Sequence, residues 1–236
     1  MAVNRQIQLD APPGNGGTLD GVRREVDGLR EVGADFHRRG WSLGTSSNYS
    51  VVLGRDPLEL LITASGKDKG RLAADDFVRV DECGRPMLQD QPKASAETLL
   101  HVVVAGCGGA GAVLHTHSVW ATVLSDHHAG NGGLEIEGYE MLKGLDGVNT
   151  HEHTTRMPIL ENSQDMPTLA GRVRALFKSM DDSLEHGFLL RRHGLYTWGR
   201  DLAEARRHVE VFEFLFECIG QRLIMGGKLA PISGVS

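Results

Sequence analysis

From position 18 to 40 the chain reads TLDGVRREVDGLREVGADFHRRG, with Leu19, Val22, Val26, Leu29, Val32 and Phe36 recurring every three or four positions. That spacing lines one stripe of a helix and predicts an amphipathic α-helix behind a Thr18 or Asp20 cap, ended near Gly40. The pattern then shortens. NYSVVLG and LELLITAS are compact apolar runs joined by RDP, which predicts a two-stranded antiparallel unit, followed by the glycine-flanked ASGKDKGRL. SAETLLHVVVAGC opens with Ser95 as an N-cap and carries Leu99, Leu100 and Val103 on one side, predicting a helix over 96–105 that the glycines of 106–111 terminate. A strand AGAVLHTH and a helix beginning around Ser118 follow, then a glycine-rich loop at HHAGNGGLEIEG and a second short helix at GYEMLKGL. The last third predicts a helix over TLAGRVRALFKSM, a hairpin GFLLRRHGLYTWG and a long terminal helix over 201–225. Helices thus mix with hairpin-linked strands, and no repeat, low-complexity tract or linker divides them. The expectation is an α/β fold of the α+β type, one domain over 18–236 with a mainly antiparallel sheet covered by helices.

Composition narrows the classes of function. With 40% hydrophobic and 24% charged residues over 236 positions, the chain has the makeup of a globular protein with a sizeable core. A formal net charge of −6 argues against a phosphate-backbone binder, which needs an excess of Lys and Arg, so no nucleic-acid partner is expected. Three cysteines, Cys83, Cys107 and Cys218, are widely spaced without a CxxC, which fits a reducing cytoplasm and neither a disulfide framework nor a thiolate zinc site. Residues 1–17 are polar and rich in Gly and Pro, so they read as a flexible tail rather than a secretory signal or membrane anchor.

The strand GAVLHTH ends in two imidazoles, His115 and His117, one residue apart. In a strand, positions i and i+2 project to the same face about 6 to 7 Å apart, so both can close on one ion at the strand's end. A third ligand is available in His193 of RRHGLYTWG, at the turn of the predicted hairpin. Three protein ligands leave one position open, which is the arrangement of a catalytic zinc. THEHTT offers a competing pair, His151 and His153, with the same spacing. It lies in a polar, loop-like stretch, where a solvated strand edge or subunit contact is the simpler reading, and His127 and His128 read as surface loop residues. A metal that polarises a carbonyl needs a proton carrier, and two glutamates qualify by position. Glu97 opens the helix leading into the histidine strand, where the helix N-terminus favours its ionised form, and Glu140 follows the glycine-rich loop. A capping carboxylate and a solvated helix face are their structural readings.

Taken in order, TSSNYS, ITASG, SAET, HTHS, GYEMLKG and RRHGLYTWG resemble the class II aldolase/adducin-type family over about residues 19–226. EMLKG together with HTHS is most similar to that family's dehydratases acting on 5-methylthioribulose 1-phosphate, in methionine salvage. The resemblance implies a three-layer αβα domain, a homotetramer, and one Zn2+ per subunit on His115, His117 and His193. It assigns acid/base duty to Glu140, with Glu97 at the position that carries it in aldolases. Asn48, Ser65, Gly66 and Ser95 match the loops that hold the substrate phosphate, with Lys143 as an added charge. The chain departs from the aldolase pattern at Ser47, where a glycine is usual, and at Ala96, where a second serine often stands. The resemblance also leaves room for an aldolase, a 4-epimerase or a non-catalytic adducin-like scaffold.

Overall fold

The computed structural model describes residues 20–179 and 184–226; the expected tail over 1–17 lies outside the described residues. A short 3-10 turn, Asp20–Val22, leads into α1 (Arg23–Arg38), whose buried stripe of Val26, Leu29, Val32 and Phe36 follows the periodicity read from the sequence. Eight strands come next in one sheet: β1 (Asn48–Arg55), β2 (Leu58–Thr63), β3 (Phe77–Val80), β4 (Ala112–Thr116), β5 (Gly133–Ile136), β6 (Thr155–Leu160), β7 (Gly187–Leu190) and β8 (Gly194–Gly199). Between and after them lie α2 (Thr98–Cys107), α3 (Val119–His127), α4 (Met166–Lys178) and α5 (Leu202–Ile224). The strand order is β3-β2-β1-β4-β8-β7-β6-β5. Every pairing is antiparallel except β6 with β7, so the sheet is mainly antiparallel as expected.

Alternation along the strands sorts the core into two faces. On one face Tyr49, Val51, Leu61, Phe77 and Leu114 pack on the α1 stripe, and Met157, Leu189 and Leu195 pack on α3 and α5 through Ala121, Leu124, Phe212 and Leu215. On the other face Val113, Phe188, Tyr196 and Trp198 meet Leu100 and Val103 of α2 and Leu169 and Val173 of α4, while Leu60, Ile62, Val78 and Val80 meet Val102 and Ala105. The result is three layers, α1/α3/α5, sheet, and α2/α4. Side chains of this size stabilise by about 1.5–3 kcal/mol each when fully buried, so the faces are fixed far more firmly than any single loop. The helix starts are set by caps: Ser118 Oγ accepts from Ala121 N (3.0 Å), Asp165 from Thr168 N (3.1 Å) and Asp201 from Glu204 N (2.9 Å).

Several local expectations change. The sheet takes in three strands that the sequence pattern did not show: β3, β5 and β6. Gly133–Ile136 sits in the stretch read as a glycine-rich loop, but its Leu134 and Ile136 are buried against α3, and tertiary packing overrides the loop composition. GYEMLKGL holds only a 3-10 turn, Glu140–Gly144, and buries Leu142 within it and Leu145 after it. Finally α2 begins at Thr98 rather than at 96, which leaves Ser95, Ala96 and Glu97 on the approach to it. That offset turns the Glu97 carboxylate away from capping, since it makes no cap hydrogen bond.

Candidate active site

β4 occupies the middle of the sheet between β1 and β8. Its register places Asn48 opposite His115 and His115 opposite Tyr196, so three adjacent strands set these side chains in one row on the α2 side. His117 lies one step beyond the strand, where its N–H donates to Trp41 O at 2.8 Å. The β7–β8 turn carries His193 to the same place. Gly194 lets it come close: a Cβ there would sit 1.9 Å from Thr116 O. The turn is pinned to α3 by Thr122 Oγ1 donating to His193 O (3.0 Å) and by Arg192 N donating to Ser125 Oγ (3.0 Å).

The three rings aim their Nε2 atoms at one point. His117 Nε2 lies 2.7 Å from His115 Nε2 and 3.0 Å from His193 Nε2. Glu97 closes the fourth side, with Oε1 3.2 Å from His193 Nε2 and Oε2 3.6 Å from His115 Nε2. One ligand atom from each of these four residues falls within 4.8 Å of the others. His115 Nδ1 donates to Leu195 O at 2.8 Å, which fixes the tautomer and leaves the Nε2 lone pair facing inward. Burial, and then mutual repulsion among the imidazoles, pushes the His115 and His117 pKa values down, His117 to about 3; burial lowers His193 as well, against the pull of Glu97. Rings that stay neutral at physiological pH present lone pairs, and three of them beside a carboxylate fit a divalent transition-metal ion.

The surroundings hold this geometry rigid. The ring of Tyr196 stacks on His115 with centroids 3.9 Å apart and planes at 14°. Asn48 Nδ2 donates to Glu97 Oε2 (2.8 Å) and Ser95 Oγ (3.1 Å). Its Oδ1 accepts from His101 Nε2 (2.6 Å), and His101 Nδ1 in turn accepts from Ser50 Oγ (2.8 Å). A buried hydrogen-bonded chain therefore runs Ser50–His101–Asn48–Glu97, and burial drives the His101 pKa down to about 3, so the ring stays neutral. Behind the strand end, on the opposite face, Thr116 Oγ1 donates to the buried Glu213 Oε1 (3.1 Å), whose carboxyl burial raises to about 7. Neither His101, Tyr196 nor Glu213 was singled out from the sequence. Tyr196 follows the HG dipeptide at strand spacing, whereas His101 and Glu213 lie on helices with no local signal.

A cavity of about 290 Å3 opens beside the cluster, with Glu97, His117 and His193 in its wall. The wall also takes in Asn48, Ser65, Gly66 and Ser95, the residues matched to phosphate loops, together with Thr45, Ser46 and Ser47. Asn162 and Gln164, from the segment between β6 and α4, and Met166, the first residue of α4, complete it and had no sequence signal. Gly66 has φ +71 and Ser47 has φ 70, so the residue that stands where aldolases carry glycine still adopts the glycine conformation. Ser47 Oγ is buried without a hydrogen-bond partner. Glu140 and Lys143 stand apart from the cavity wall. Glu140 is 72% exposed, its Oε1 receives Lys143 Nζ at 2.7 Å, and His151 Nδ1 lies 3.6 Å from its Oε2. The Lys143 contact holds the Glu140 carboxyl below the usual range. His151 and His153 join no metal-holding group among the described residues.

Comparison with known proteins accords with this geometry. Residues 27–219 match the class II aldolase and adducin N-terminal domain family. Methylthioribulose-1-phosphate dehydratase of Marinobacter nauticus is 48% identical over 189 residues, covering 80% of this chain and 88% of its own. The protein of the same name from Pseudomonas fluorescens is 47% identical over 189 residues, with 80% and 88% covered. Among solved structures, L-fuculose-1-phosphate aldolase from Thermus thermophilus superposes with a TM-score of 0.66 at 26% identity, covering 87% of this chain and 99% of its own. YgbL from Escherichia coli shares the fold at a TM-score of 0.68, 20% identity, with 91% and 94% covered. The chain belongs to the class II aldolase and adducin N-terminal domain family.

Proposed function

We propose that this chain is a hydro-lyase that dehydrates 5-methylthioribulose 1-phosphate to 2,3-diketo-5-methylthiopentyl 1-phosphate, with one Zn2+ held by His115, His117 and His193. The observation that carries the reading is the convergence of three neutral imidazoles and Glu97 at the edge of a polar cavity, in a chain 48% identical to a protein named for that reaction. An ion in that position supplies Lewis-acid chemistry, which makes the proton at C3 of a 2-ketose more acidic.

The chain's own residues do the rest. Glu97, 14% exposed, with its carboxylate held by Asn48 Nδ2 and its backbone N–H donating to Ser95 Oγ (3.2 Å), takes the C3 proton at that carboxylate. Loss of the C4 hydroxyl then gives an enol that tautomerises to the diketone. The proton that leaves with that hydroxyl as water is the one Glu97 has taken from C3; Glu140, whose carboxyl Lys143 holds below the usual range at the surface, stays the second carboxylate on its match to the family's acid/base glutamate alone. Ser47, Ser65 and the loop at Gly66 line the cavity and would supply donors to the substrate phosphate. Ser65 N–H is already spent on Lys93 O (2.9 Å), so its contribution is the hydroxyl. Three unpaired thiols accord with a reducing, cytoplasmic setting, and a role in methionine salvage and assembly as a homotetramer follow from the resemblance alone. No helix among the described residues is long and apolar enough to cross a membrane.

Product analysis with authentic methylthioribulose 1-phosphate decides the reaction. The expected products are the diketone and water. Dihydroxyacetone phosphate with a methylthio aldehyde would make the chain an aldolase, epimerised starting sugar a 4-epimerase, and unchanged substrate with no bound metal a scaffold.

A further inference from the structure

Lys69, in the sequence GKDKG, is 1% exposed and among the largest fully buried side chains of the protein. Its backbone is wedged against α1, where a Cβ on Gly33 would meet Lys69 O at 2.5 Å, and its side chain runs inward from there. Nζ donates to Lys67 O (2.7 Å) and reaches Thr45 O at 3.5 Å. No carboxylate among the described residues pairs with it within 4.0 Å, although Asp68, Asp76 and Glu97 act on it from farther away. A buried ammonium held only by carbonyl oxygens is costly, and proteins normally place a counter-charge beside it. The two loops it touches are those of the cavity: Thr45 belongs to the Thr45–Asn48 wall, and Lys67 follows Ser65 and Gly66 of the facing one.

We propose that Lys69 is a positioning residue of the anion end: it ties the two loops together, and its ammonium supplies the fixed positive charge that the phosphate of the substrate completes. The inference rests on the sugar-phosphate reading above. It moves the lysine of the phosphate site from Lys143, which is paired with Glu140 on the surface, to a residue beneath the cavity. The environment explains why the charge waits for its partner: burial lowers the Lys69 pKa to about 8, and Asp68, Asp76 and Glu97 offset only part of that.

Sulfate is a suitable probe because it stays a dianion across the pH range of interest. With metal-loaded protein at about pH 7, titration calorimetry should give wild-type binding that weakens roughly tenfold or more in both Lys69→Met and Lys69→Gln, at unchanged metal content. Gln keeps donors for the two carbonyls and lacks the charge. Sulfate binding by Lys69→Gln equal to wild type would therefore overturn the proposal, leaving the lysine as a loop clamp. Should neither variant fold, the wild-type protein still decides. As pH rises through about 8 the ammonium loses its proton, while Asp76, its carboxyl held low by Lys67, and His117, lowered to about 3, keep their charge state, so sulfate affinity should fall. An affinity that stays flat from about pH 6.5 to about pH 9.5 would overturn it. Wild-type protein that binds neither sulfate nor phosphate at any pH would instead reject the sugar-phosphate reading itself.

Discussion

His115/His117 and His151/His153 have the same spacing and opposite surroundings. The first pair ends a strand buried in the middle of the sheet, meets His193 and Glu97, and is held by a carbonyl, a tyrosine ring and neutralising burial. The second lies in an irregular stretch before β6, where His151 is half exposed and its nearest acid is the solvent-facing Glu140. Spacing brings two nitrogens onto one side, but preorganisation and desolvation make a ligand set, because neutral rings aimed by neighbours need no further ordering when the ion arrives.

The sharpest break of this comparison removes one histidine from each pair. His115→Ala or His117→Ala should lose the bound metal and lower activity by well over about 10²-fold, beyond what disturbance of outer partners costs. His151→Ala and His153→Ala should keep about one ion per chain. Elemental analysis reads both, and full metal in His115→Ala would reverse the assignment.

The same contrast separates the glutamates. Glu97→Gln keeps the shape of the side chain and its contact with Asn48 but cannot take a proton, so kcat should fall by on the order of 10² to 10⁴. Glu140→Gln should keep full metal and lose at least about tenfold in kcat, with KM little changed. If Glu97→Gln turns over normally while Glu140→Gln is dead, proton transfer at C3 belongs to Glu140 and Glu97 only steadies the histidines.

How much of this was legible in the chain follows from where each signal resides. The α1 stripe, the HTH strand end and the His193 turn are local patterns, and all three appear where the sequence placed them. The mainly antiparallel sheet was legible in the hairpins, whereas β3, β5 and β6 were not, because short strands flanked by Gly, Asp and His acquire their order from neighbours. Asn48 was legible as a site residue, yet its amide is committed to Glu97 and Ser95 rather than left free for an anion. That assignment depends on β1 lying in register with β4, a pairing between positions far apart in sequence. His101 and Lys69 were hidden for the same reason: what matters is what surrounds them.

A third test acts on backbone contact alone. Gly194→Ala places a methyl against Thr116 O and near His115 Cε1, so the β7–β8 turn must retreat. The expected cost is at least about 1–3 kcal/mol of stability, with weakened metal retention since His193 moves with the turn. An alanine variant with wild-type Tm and metal content would show that the hairpin has more room than the close approach implies.

The smallest effect concerns His101, which touches neither metal nor cavity and isolates the buried chain behind Glu97. With its folded pKa near 3 against about 6.5 unfolded, the ring is neutral in both states at pH 7, and only the unfolded chain takes up its proton as pH falls below about 6.5. Stability should thus drop on acidification between about pH 6.5 and pH 3, by up to about 1.4 kcal/mol per pH unit from this residue. His101→Gln can still donate to Asn48, so it should lose only about 1–3 kcal/mol at pH 7 and shed one proton's share of that slope. Urea unfolding of wild type and variant at pH 7 and pH 5 gives the difference directly, and subtraction cancels the shared contribution of the three ligand histidines. Identical slopes would mean that His101 is solvated or charged in the folded protein, and that Glu97 is held without the Ser50–His101–Asn48 chain.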